Sequence, residues 1–215
     1  MFYQRQLSNY NLAIHNVDNN EVSMHLWYEC IAKRGSLEIA SCILNYIGNN
    51  YDILGHEINQ KFLSTGHSFL PCDRDFALIE KQKKTAKVLV PSQWKYVIAN
   101  ARLEKPFRII EMSQNDFKDF SALEQDIAKK NLKITQAMWL KLTADAPKHV
   151  NIRESHNTLK PWTSHQIRQN NFKDNTLSPA YESPVALTKE KKKDLLDLCK
   201  YMPQQYSDFY TSLPG

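Results

Sequence analysis

Leu7-Ser8-Asn9-Tyr10-Asn11-Leu12-Ala13-Ile14-His15 and Val22-Ser23-Met24-His25-Leu26-Trp27-Tyr28 are strand-like runs on either side of Asn16-Val17-Asp18-Asn19-Asn20, a cluster of turn formers. This stretch predicts an antiparallel β-hairpin. Working outward, Arg34-Gly35-Ser36 punctuates the chain, and Ser36 is placed to cap a helix with Ile39, Ile43 and Ile47 on one stripe, widened by Ala40 and Leu44 and stopped at Gly48-Asn49-Asn50. Glu57 to Leu63 alternates like a strand, and Asp73 is placed to cap a helix from about Arg74 to Lys84. Val88-Leu89-Val90 reads as a short strand cut off by Pro91, followed by a helix from Ser92 toward Arg102 and a strand from Phe107 to Met112. Asp116 to Lys130 has Phe117, Phe120, Leu123 and Ile127 at helical spacing. Met138 to Leu142 and His149 to Arg153 read as paired strands, and Thr158 to Pro184, with three prolines, as an extended surface segment. Thr188 to Lys200 and Gln204 to Leu213 read as helices separated by Pro203.

The 215 residues are 42% apolar and 24% charged, the balance of a globular chain long enough for one core or two small ones. The longest apolar run, near Ile39 to Leu44, is far shorter than the roughly 18–20 residues a membrane-spanning helix needs, so no membrane partner is expected. The N-terminus lacks the regions of a secretory signal, which sets an intracellular expectation, nucleus or cytoplasm. Cys30, Cys42, Cys72 and Cys199 have no C-x-x-C spacing and suit neither a zinc ribbon nor a redox pair. Charge is unevenly spread. Residues 1–80 carry 5 basic and 9 acidic side chains, a net of −4, whereas residues 81–105 carry 7 and 1, a net of +6. A basic stretch directly after an acidic one suits a metal-dependent nucleic-acid enzyme, and it also describes a solvated helix face.

Five stretches stand out: Phe2-Tyr3-Gln4-Arg5-Gln6-Leu7-Ser8-Asn9-Tyr10-Asn11-Leu12, Arg34-Gly35-Ser36-Leu37-Glu38-Ile39-Ala40-Ser41-Cys42, Lys61-Phe62-Leu63-Ser64-Thr65-Gly66-His67-Ser68, Val90-Pro91-Ser92-Gln93-Trp94 and Lys191-Lys192-Lys193-Asp194-Leu195-Leu196. Running nearly end to end, they resemble an uncharacterised family of transposon-derived proteins, abundant in arthropod genomes, whose core is similar to a ribonuclease-H-like transposase or integrase. The resemblance implies an α/β fold, or α+β as the chain stands. It implies an incomplete ribonuclease-H-like core with its N-terminal hairpin over residues 1–105, a mixed helix and strand region over 106–157, an extended Pro/Asn/Ser-rich segment over 158–186 and C-terminal helices over 187–215.

In-line attack on a phosphodiester uses two cations about 3.5–4 Å apart, which converging carboxylates hold, and the ancestral activity would use Mg²⁺ or Mn²⁺. The resemblance places the first acid on a strand before the hairpin and the second between the Ile39–Ile47 helix and the Phe62 strand. The chain offers neither: it opens at the hairpin, and Gly48 to His56 is too short for the expected strand, turn and helix. Asp52 in that interval would have to reach the lost position to within about half an ångström. The third acid corresponds to Glu80, within the family-like Gly66 to Glu80 stretch. Glu80 reads either as an ancestral catalytic metal ligand or as an exposed helix residue. Asp73, seven positions earlier, reads as an N-cap or as a second ligand, Asp75 as a first-turn charge, and His67 as a packed loop histidine or a ligand.

The expectation is a truncated, internally deleted member of the family that is catalytically inactive and requires no cofactor as it stands. The alternative is a non-specific nucleic-acid-binding module using Lys81, Lys83, Lys84, Lys87, Lys95, Arg102 and Lys105, with Trp94 and Tyr96 either stacking on bases or buried as core. A third reading is a DNA strand-transfer enzyme. A partner chain is expected to complete the sheet by strand addition.

Overall fold

The computed structural model describes residues 4–50, 57–63, 69–126, 132–167 and 177–215. It is a mixed α+β chain with two sheets. Its elements in chain order are β1 (Asn9–Asn16), β2 (Glu21–Tyr28), α1 (Ser36–Asn49), β3 (Glu57–Lys61), α2 (Pro71–Lys83), α3 (Trp94–Ala99), β4 (Arg108–Glu111), α4 (Ser121–Asp126), β5 (Trp139–Thr143), β6 (His149–Arg153), β7 (Thr163–Gln166), α5 (Lys189–Cys199) and α6 (Gln204–Ser212). No helix among the described residues is long and apolar enough to cross a membrane. Two compact units form, each from separate segments: Met1–Tyr46, Leu70–Lys118 and Ser178–Gly215 in the first, Ile47–Phe69 and Asp119–Leu177 in the second.

The first unit is built on the hairpin. β1 and β2 pair antiparallel from Asn9 opposite Tyr28 to Asn16 opposite Glu21, with Asn20 at φ 59° in the turn, a conformation Asn tolerates better than most residues. β4 then adds parallel to β2, Leu26 opposite Glu111, giving the order β1-β2-β4. Alternation divides the hairpin's side chains between two faces. Val22, Met24, Leu26 and Ala13 pack under Phe76 and Ile79 of α2 and Trp94 and Ile98 of α3. Trp27, Tyr10, Leu12 and Ile110 pack with Leu37 and Cys42 of α1 and with Phe117 and Tyr181. A third cluster joins Leu7, Cys30 and Val90 to Leu187, Leu195, Tyr210 and Leu213, so α5 and α6 close over the start of the chain.

Local chemistry explains where these elements depart from the pattern read in the sequence. In α1 the residues turned inward are Glu38, Ser41 and Cys42, while Ile39, Ile43 and Leu44 are exposed. The inward polar groups are satisfied by distant segments: Ser41 Oγ accepts from the Lys118 amide at 2.9 Å, and Glu38 accepts from the Tyr181 hydroxyl. Val88 to Val90 forms no strand, because the Gln93 side-chain oxygen takes the amides of Leu89 and Val90 at 2.6 and 3.3 Å. The expected helix from Asp116 is a 3₁₀ turn at Gln114–Asp116 and then α4 from Ser121. Phe117 lies between them, fully buried, its ring edge-on to Trp27 at 5.5 Å. Residues 127–130 of that prediction lie outside the described residues.

The second unit is an antiparallel sheet in the order β3-β5-β6-β7. β5 and β6 pair as expected, Trp139 opposite Arg153, and β7 forms within the Pro-containing segment that the sequence predicts as extended surface chain. Its small core is Ala137, Val150 and Ile152 with Leu132, Leu140 and Ile167. The other face carries Lys61, Trp139 and Arg153 side by side across three strands.

Candidate functional site

Pairing direction sets the site. β2 and β4 run parallel and β1 antiparallel, so the carboxyl ends of β2 and β4 meet the start of β1 at one end of the three-stranded sheet. Crevices at the carboxyl ends of strands are where open α/β sheets bind ligands. A cleft of about 350 Å³ opens at this end, lined from the sheet by Asn9, Asn11, Leu26, Tyr28 and Glu111, from α2 by Phe76, Ile79 and Glu80, from the α3 region by Pro91, Ser92, Trp94, Lys95 and Ile98, and from α6 by Phe209. Its walls are mostly apolar, with the rings of Tyr28, Phe76, Trp94 and Phe209 among them. Its charged groups are Glu80, Lys95 and Glu111, and Lys95 Nζ sits 3.2 Å from Glu111 Oε1. Lys83 Nζ stands 5.8 Å from the centre of the Trp94 ring, so a second cation borders the same wall.

The acids expected on α2 separate into three roles. Glu80 is exposed at the cleft and has no ion-pair or hydrogen-bond partner among the described residues. Asp73 is not the N-cap, because the helix begins at Pro71 with Leu70 as its cap. Its carboxylate reaches back to accept from the Leu70 amide at 2.6 Å, the third-position half of a capping box. Asp75 is not a solvated first-turn charge. It is 4% exposed, 2.7 Å from His15 Nδ1 and 3.5 Å from an Arg102 guanidinium nitrogen. His67 and Asp52 lie outside the described residues. Among the described residues, no three His, Cys, Asp or Glu side chains come together as a metal-holding group.

The expected nucleic-acid-binding cations also divide. Lys81, Lys83, Lys84 and Lys87 are exposed, and none is ion-paired among the described residues. Arg102 and Lys105 are engaged within the fold: Arg102 bridges Asp75 and donates to the carbonyls of Lys105 and Asn20, while Lys105 donates to the Asn19 carbonyl at 3.2 Å. Both brace the β1–β2 turn. Trp94 lines the cleft, half-buried, and Tyr96 is 63% exposed rather than core, because α3 turns Val97 and Ile98 inward.

Thiol chemistry contributes nothing to the cleft. Burial, reinforced by Glu29 and by Glu38 respectively, pushes Cys30 up to about 11 and Cys42 up to about 12, so neither is a nucleophile at neutral pH. Burial likewise raises Cys72. His25, fully buried beneath α1 with the Leu12 backbone and Asn45 as polar neighbours, is held below its ordinary value by desolvation.

The second unit carries a basic-aromatic array that the sequence reading did not pick out. Lys61 Nζ lies 4.0 Å from the Trp139 ring, Trp139 and Trp162 meet at 5.1 Å, Arg153 lies over both rings, and Lys141 stands 5.3 Å from Trp162. The available signal was the alternation Trp139-Leu140-Lys141, which places a ring and a cation on one face of a strand. Because the chain's own cations already cover these rings, the array serves as the cover of its sheet rather than as an open stacking platform.

Compared with family models, curated proteins and solved structures, the chain matches none. The functional reading therefore rests on the geometry of the cleft and its surroundings.

Proposed function

We propose that this protein is a nucleic-acid-binding module of mobile-element descent, derived from a ribonuclease-H-like core, that no longer performs metal-dependent phosphoryl transfer. The observation that carries the binding is the run of lysines Lys81, Lys83, Lys84 and Lys87, exposed and not ion-paired among the described residues, of which Lys83 borders the Trp94 wall of the cleft. Lysines without protein anions are free to neutralise phosphates and release their counterions, and an aromatic wall accepts a base face whatever its sequence. Loss of chemistry is supported by the commitment of the two acids nearest Glu80 in sequence, Asp73 to a backbone amide and Asp75 to His15 and Arg102. Neither is positioned by those contacts to share a cation with Glu80.

The test is retention of labelled single strands and duplex as salt is raised. Binding should weaken steeply with salt. Alanine at both Lys83 and Lys84 should reduce the slope of log K against log salt by about 1.4 for single strands, and charge reversal at both should abolish retention. Unchanged retention in the reversed variant overturns the binding surface. Mn²⁺-dependent strand cleavage that disappears in Glu80→Ala overturns the loss of catalysis.

A further inference from the structure

The polar groups of the cleft in the first unit are of a kind that narrows its ligand. Lys95 and Glu111 satisfy each other at 3.2 Å, whereas Glu80 has no partner among the described residues. Asn11, on the sheet side, has a buried side-chain oxygen that accepts no hydrogen bond among the described residues. Both groups are acceptors, so a ligand that fits them brings donors. A carboxylate accepts only, and it is best satisfied by two parallel N–H groups. The volume of about 350 Å³ is at the lower end of the roughly 300–1,000 Å³ usual for small-ligand clefts, and the walls at Phe76, Trp94 and Tyr28 suit a flat ring.

Among the common bases, guanine alone sets two donors side by side, the ring N1–H and the exocyclic N2–H. Adenine and cytosine set one exocyclic donor beside a ring acceptor, and thymine or uracil sets one ring donor between two carbonyls. Each of these turns a lone pair toward a carboxylate. We propose that the cleft binds an unpaired guanine of a single-stranded nucleic acid, with Glu80 accepting from its Watson–Crick edge and Trp94 stacking on its face. A single strand is required because pairing occupies that edge in a duplex. Lys83, 5.8 Å from the Trp94 ring centre, supplies a cation for a flanking phosphate. The inference rests on the nucleic-acid reading above and adds base choice to a binding surface that is otherwise indifferent to sequence.

The experiment compares short oligothymidylates carrying one central guanine, adenine or cytosine by fluorescence anisotropy, with the full chain and with Glu80→Gln. In the unmodified protein the guanine strand should bind about tenfold more tightly than the others, the discrimination typical of a bidentate base contact. An amide offers one acceptor and one donor, which complements the donor–acceptor edge of adenine and of cytosine alike, so Glu80→Gln should lose the guanine preference. Glu80 is exposed, so this replacement leaves the fold intact. Equal binding of all the strands, or a guanine preference that survives Glu80→Gln, overturns the base assignment while leaving the nucleic-acid reading in place. Failure of every strand to bind overturns both. Trp fluorescence quenching by tetramethylammonium but not by guanosine monophosphate identifies an aromatic cage for cations and likewise overturns the assignment.

Discussion

Asp75→Ala tests whether the central acid of α2 is architecture. Its carboxylate is 4% exposed and lies between His15 Nδ1 at 2.7 Å and Arg102 at 3.5 Å, with the His15 side chain 7% and the Arg102 side chain 14% exposed. Removing one partner of a buried charged pair costs about 3–5 kcal/mol, because the remaining charge stays buried without compensation. Arg102 retains the carbonyls of Lys105 and Asn20, which places the cost at the lower end, about 3 kcal/mol. At about 2–4 °C per kcal/mol for a chain of this length, Tm should fall by about 6–12 °C. Asp73 provides the internal control: it is exposed and caps a single amide, so Asp73→Ala should cost about 1 kcal/mol. Urea unfolding of both variants, with a double-mutant cycle between Asp75→Ala and His15→Ala, measures the difference. A loss for Asp75→Ala no larger than that for Asp73→Ala, or a coupling to His15 below about 0.5 kcal/mol, would refute the buried-network account.

Two further outcomes follow from buried groups. Phe117→Ala empties a fully buried site edge-on to Trp27 and Tyr181 and should cost about 3–5 kcal/mol in urea unfolding, whereas the same change in an exposed helix would cost little. His25 has a lowered pKa, so between its folded value and the ordinary 6.5 the unfolded chain binds a proton that the buried ring refuses. Stability should accordingly be fully present above about pH 6.5 and decline as pH falls below it, and in His25→Phe that part of the decline should vanish from the urea midpoints.

The hairpin, β4, the β5–β6 pair and the two C-terminal helices were legible because each announces itself locally, by alternation, by turn formers or by helical spacing. Two of the errors share a cause: a distant partner outweighed a local pattern. The isoleucine stripe of α1 faces outward because Lys118 and Tyr181 satisfy the polar stripe beside it, and Phe117 leaves its helical register to pack against Trp27. No window of neighbouring residues contains either fact. Four side chains from the stretches that stand out in the sequence serve construction. Gln93 caps two amides, Glu38 holds Tyr181, Lys191 meets Glu29 at 2.6 Å and Lys192 donates to the carbonyls that end α6. Of the candidate site, the lysines after Glu80 and Glu80 itself could be read from the sequence. The cleft could not, since its walls come from β1, β2, β4, α2, α3 and α6.

The first unit draws its core from three separated segments, and residues 178–215 hold the earlier two: Arg5 bonds Asp194, the Val185 amide donates to Cys30, and the Tyr210 hydroxyl donates to the Leu89 carbonyl. On the ribosome, the hairpin therefore emerges long before the residues that shelter Leu7 and Cys30 exist. Until residues 178–215 have been synthesised, Leu7 and Cys30 lack their apolar cover, so a premature stop in that span would unseat the residues around the hairpin.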